Sequence, residues 1–99
     1  MTRAERKVRA EDSIRTTVDE MWAKVKGMPV GTTVGEALGM AERHAMKRQA
    51  EVPQSAALFM RALNRFSHEL TVQFYAAHPE QVPMPYDELL LEEEVSNAV

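Results

Sequence analysis

Phe59, Ala62, Leu63, Phe66, Leu70, Phe74 and Ala77 repeat at helical spacing between Ser55 and Pro79, an unbroken apolar stripe. The stripe holds all three phenylalanines of the chain. It therefore fixes a long helix whose one face is core, and the rest of the chain has to supply the cover. Ser55 is the expected N-cap, and Pro79 stops the helix near His78.

The cover comes from two further helices. Ile14, Val18, Met21, Trp22 and Val25 share one helical face, and Lys24 and Lys26 stand in the last turn, where cations suit the negative end of the helix dipole. Gly27 takes the C′ position, with Pro29 just beyond. Thr33 and Glu36 form the pattern of a capping box that opens the next helix. Val34, Ala37, Leu38, Ala41, Ala45 and Val52 then line one small, alanine-rich face that another helix can approach closely. Pro53 ends this helix near Glu51 or Val52. Only a few residues join it to the phenylalanine helix, which predicts an antiparallel hairpin. No alternation typical of strands occurs.

The fold expected is all-α: a three-helix core with an antiparallel helix hairpin and a short C-terminal helical segment. Residues 1–10 read as a basic N-terminal arm or frayed helix start, 11–78 as the helical domain, and 79–99 as a proline-punctuated linker with an acidic amphipathic tail. With 99 residues the chain is one domain of modest stability, for which oligomerisation is a reasonable expectation.

Charge is unevenly spread. Residues 1–50 carry ten Lys/Arg and seven Asp/Glu, a net of +3; residues 51–99 carry two Arg and eight acids, a net of −6. The two halves attract each other or attract opposite partners. There is no cysteine, hence no disulfide and no thiolate metal site. The basic start leads into no apolar run, and no window approaches the roughly 18 apolar residues of a membrane span. The expected compartment is the cytoplasm, with no membrane association.

Catalytic patterns are missing. His44, His68 and His78 show no i, i+4 pairing and no HExxH or Glu-x-x-His motif. Ser13 and Ser55 read as helix starts, and the glycines of 27–35 resemble neither a P-loop nor GxGxxG. The paired acids are sequence neighbours rather than groups aimed across a cleft. The chain is expected not to be an enzyme and to need no cofactor or metal.

Two binding readings follow. Met40, Met46 and Met60 fall off the main stripes, and methionine suits adaptable binding surfaces. Leu89, Leu90 and Leu91, with Tyr86, place more apolar surface on a short acidic tail than one edge of a small domain covers. A homodimer or a folded-back tail resolves this excess. The preferred expectation is a tail that docks in a helical groove of a dimer mate or of a target. The protein would then bind and modulate a protein partner, as an inhibitor, anti-activator or adaptor. The alternative is a small nucleic-acid-binding regulator, with phosphate contacts from Arg3, Arg6, Lys7 and Arg9 on the arm and Arg43, Lys47 and Arg48 on the second helix. No turn interrupts that second helix, so it is not a helix-turn-helix unit.

Overall fold

The computed structural model describes residues 1–80, 86 and 88–91. Three helices pack together: α1 over Arg3–Lys26, α2 over Val34–Glu51 and α3 over Ala56–Ala77, with a 3₁₀ turn at Pro53–Ser55 before α3. No strand occurs among the described residues.

α1 begins earlier than the arm-or-frayed-start reading of residues 1–10. Thr2 caps it: its hydroxyl accepts from the Glu5 N–H at 3.1 Å, and the Glu5 carboxylate accepts from the Thr2 N–H at 3.3 Å. This reciprocal pair satisfies two free backbone donors. It holds a helical start that buries nothing, since the first buried residue of α1 is Ile14.

The turn after α1 needs one glycine for its backbone, and that glycine is Gly31 rather than Gly27. Gly27 keeps right-handed helical angles, whereas Gly31 has φ +96°. The Thr32 N–H donates to the Pro29 carbonyl across this turn at 3.2 Å, which puts Gly31 at the third position, where a type II turn requires positive φ.

Thr33 caps α2 through one bond, its hydroxyl accepting from the Glu36 N–H at 3.0 Å. The next two donors are taken from elsewhere in the chain. Val34 N–H donates to the Leu89 carbonyl at 2.6 Å and Gly35 N–H to the Tyr86 carbonyl at 2.7 Å. Ser55, expected to cap α3, makes no side-chain capping bond; the 3₁₀ turn opened by Pro53 leads the chain into α3 instead.

α1 and α3 run in the same direction: Glu11 pairs with Arg65 and Arg15 with Glu69, four residues further on in each helix. α2 runs back against both. Its buried face is Val34, Ala37, Ala41 and Ala45, so its backbone lies close to its neighbours. The core sits between this face, Ile14, Val18, Met21, Trp22 and Val25 of α1, and Phe59, Ala62, Phe66, Leu70 and Phe74 of α3. Leu63 is half-buried and Ala77 is exposed, so the α3 stripe is narrower at its end than its spacing predicts. The rings of Trp22 and Phe66 meet edge to face, 5.0 Å between centroids.

Leu89 and Leu91 belong to the same core. They are 2% and 5% exposed, whereas Leu90 between them is 51% exposed. The segment is extended rather than helical: Leu91 N–H donates to the Thr32 carbonyl at 2.8 Å, and Leu90 forms an isolated antiparallel bridge with Thr33. Side chains of an extended chain alternate between faces, so two leucines go in and one goes out. This corrects the expected helical turn at 88–91. The rest of that expectation, residues 84, 85, 87 and 92–95, lies outside the described residues.

Candidate functional site: a basic groove between α1 and α2

The α2 sequence places Glu36, Met40, Arg43 and Lys47 at i, i+4, i+7 and i+11, one stripe down the helix flank. Lys24, in the last turn of α1, faces the same seam. Met40, Arg43, His44 and Lys47 with Lys24 line a depression of about 170 Å³. A second, of about 410 Å³, is lined by Met28, Thr33, Gly35, Glu36, Gly39 and Arg43. Arg43 borders both, so the two depressions adjoin at that side chain; together they are called the groove.

The floor and rim differ in character. Met28 and Met40 are half-buried and pack on the core from the groove side. Lys24, Arg43 and Lys47 are exposed on the rim. Among the described residues none of these three cations has a carboxylate within 4.0 Å, while Arg15, Arg48 and Arg65 all make ion pairs. The groove also depends on small residues. A Cβ at Gly39 would sit 3.4 Å from Nη1 of Arg43, so the guanidinium lies close over that glycine.

His44 closes the α1 side of the groove. Its Nε2 lies 2.9 Å from Oε1 of Glu20, and its side chain is largely buried. The pair ties α1 to α2 beside Lys24. Glu36 lines the groove and Glu20 is held by His44 at its edge; among the described lining residues Lys24, Arg43 and Lys47 outnumber the one acid, Glu36. Such an arrangement attracts anionic groups, carboxylate or phosphate, and offers apolar thioether surface beneath them.

The residues singled out by sequence separate into groups. Met40, Arg43 and Lys47 come together in the groove. Arg48 does not: it pairs with Glu51 at 3.6 Å and its guanidinium stands 5.3 Å over the Phe59 ring, at the α2–α3 corner. Arg3, Arg6, Lys7 and Arg9 are exposed on the capped start of α1. From Arg9 to Lys24 the helix rises about 22 Å, so they form a separate cluster. Met46, Met60, Tyr86 and Leu90 are exposed but line neither part of the groove. Leu89 and Leu91, expected on a partner, are in the chain's own core: the tail folds back.

Sequence reasoning missed Lys24 and Met28 as groove residues. Lys24 read as a helix-end cation, and Met28, between Gly27 and Pro29, was not singled out. The i, i+4, i+7, i+11 stripe on α2 was the available signal, but the α1 residues opposite it depend on how the helices pack. Among the described residues there is no group of three or more metal-ligating side chains, and no helix is long and apolar enough to cross a membrane. Compared with protein-family models, curated proteins and solved structures, the chain matches none.

Proposed function

We propose that this chain is a non-enzymatic binding protein that modulates a protein partner by holding an acidic, partly apolar segment of it in the α1–α2 groove. The observation that carries this reading is the pairing of three cations without an ion pair among the described residues, Lys24, Arg43 and Lys47, with a methionine floor of Met28 and Met40. An acidic peptide with an apolar side chain matches both parts. A phosphodiester backbone matches only the rim, and the net charge of −6 over residues 51–99 repels a long polyanion. This moves the expected contact from the leucines of the tail to the flank of α2.

The test is a titration with a synthetic acidic peptide bearing one leucine, against an oligonucleotide of equal charge, followed by the methyl resonances of Met28 and Met40. Lys24→Glu combined with Arg43→Glu should weaken the peptide by about tenfold or more, the range of a lost pair of close charge contacts. Tighter binding of the oligonucleotide, or indifference of peptide binding to the double reversal, overturns the reading.

A second reading rests on Arg3, Arg6, Lys7 and Arg9, which are exposed and make no ion pair among the described residues. It is nucleic-acid binding through the start of α1. Its signature would be an affinity for duplex that falls steeply with salt and is lost when these four residues are replaced by glutamine.

A further inference from the structure

The smaller depression of the groove draws its walls from both helices. Lys24 comes from the last turn of α1; Arg43, His44 and Lys47 come from α2, and Met40 completes the lining. No acid is among these described lining residues, whereas the adjoining depression includes Glu36. We propose that the smaller depression receives a phosphomonoester, the phosphorylated serine or threonine of the partner's segment, and that the adjoining one takes an apolar residue beside it. This names the chemistry of the groove's occupant and rests on the reading of the groove given above.

The basic groups converge from fixed positions. Arg43 and Lys47 stand one turn apart on α2, a rise of about 6 Å. Lys24 faces them across the seam. His44, next to Arg43, is pinned between the helices: its Nε2 lies 2.9 Å from Oε1 of Glu20, and its side chain is only 11% exposed. A carboxylate accepts, so Nε2 donates in that bond and Nδ1 is the ring nitrogen left for a ligand. Glu20, held by this bond, is not a lining residue.

Charge and oxygen count favour phosphate over carboxylate. Three permanently cationic side chains border one small cavity, and a ligand with more than one negative charge relieves their mutual repulsion best. A phosphomonoester carries a charge of about −1.5 to −2 at neutral pH and has three terminal oxygens. That gives one oxygen to each of Lys24, Arg43 and Lys47. A carboxylate brings a single charge and two oxygens.

Size selects the source. The depression holds about 170 Å³, below the roughly 300 Å³ at which pockets for whole small molecules begin. It suits a phosphoryl group at the end of a side chain and leaves no room for a nucleoside attached to it. The Met40 thioether offers apolar surface to the carbon that carries the phosphate.

The experiment titrates the full chain with three peptides of one acidic, leucine-bearing sequence, differing at one position: serine, aspartate or phosphoserine. Methyl signals of Met28 and Met40 and imidazole signals of His44 report binding. Phosphoserine should bind about tenfold or more tighter than aspartate. Lys24→Gln combined with Lys47→Gln, at two exposed positions, should bring that ratio close to one without changing Tm. A ratio unchanged in the double variant places the phosphate elsewhere and overturns the inference. Equal binding of the phosphoserine and aspartate peptides overturns it too, with the groove reading intact. Inorganic phosphate or AMP shifting His44 at the same concentration as the phosphopeptide overturns the peptide as the source. If none of the three peptides shifts Met28 or Met40, the groove reading itself fails.

Discussion

Trp22 donates its indole N–H to Oε1 of Glu69 at 2.9 Å, across the α1–α3 interface, and Arg15 grips the same carboxylate at 3.0 Å and 3.4 Å. Burial alone would raise the Glu69 pKa; the bonds from Arg15 and Trp22 outweigh it and hold the group below its ordinary value. A carboxylate with a depressed folded pKa adds stability that is present above the unfolded value, near 4.3, and is lost as pH falls through the folded one. Urea unfolding at stepped pH should show an acid-side decline below about pH 4.3 that Glu69→Gln flattens. At neutral pH the same substitution should cost about 1–3 kcal/mol, since it weakens a charge-assisted network and leaves polar groups imperfectly paired.

The same interface rests on the ring pair of Trp22 and Phe66, both fully buried. Phe66→Ala should cost about 3–5 kcal/mol, a large part of the stability of a domain this size. Chemical denaturation measures it. A midpoint unchanged from the parent would mean that the ring is not in the core.

The three leucines separate sharply. Leu89→Ala and Leu91→Ala should each cost about 2–5 kcal/mol, because both side chains fill the core. Leu90→Ala should stay within about 0.5 kcal/mol. Thermal melts of the three single variants check this, and equal losses would exclude the extended register.

Here the sequence and the fold part company. The stripes that define α1, α2 and α3 are local, repeating every 3.6 residues, so the helices and most of their core were legible in composition and spacing. The pairing of Leu90 with Thr33 is not local. It joins residues 57 positions apart by backbone bonds that no side-chain pattern encodes. Read alone, three adjacent leucines fit a helix that needs a partner; with Thr32 and Val34 as backbone partners they become a strand-like cap on α2. The groove was half legible for the same reason. Met40, Arg43 and Lys47 follow from helical spacing, while Lys24 and Met28 enter only through packing.

Thr2 and Glu5 hold the start of α1 without help from the core. Thr2→Ala should remove about 1 kcal/mol of local stability and let the first turns fray. Hydrogen exchange at residues 5–9 should quicken while Val18 and Trp22 keep the protection of the global fold. Deleting residues 1–9, all exposed, should leave the remaining helical signal per residue nearly unchanged.

Gly39 sets stability against binding. It lies inside α2 with right-handed geometry, where glycine is about 1 kcal/mol poorer than alanine. The one obstacle to an added methyl is the Arg43 guanidinium at 3.4 Å, the far end of a flexible side chain that moves aside at little cost. Gly39→Ala should therefore stabilise the fold by about 0.5–1 kcal/mol, which for a chain of this length raises Tm by roughly 2–8 °C. The methyl also fills the groove beside Arg43 and displaces the cation that borders both of its parts. Binding of the acidic leucine peptide should weaken as Tm rises. Gly31→Ala is the contrasting variant: with φ at +96°, alanine is strained there and Tm should fall. If Gly39→Ala raised both stability and peptide affinity, the groove over Gly39 would not be where the peptide lies, and the contact would have to be sought elsewhere on α2.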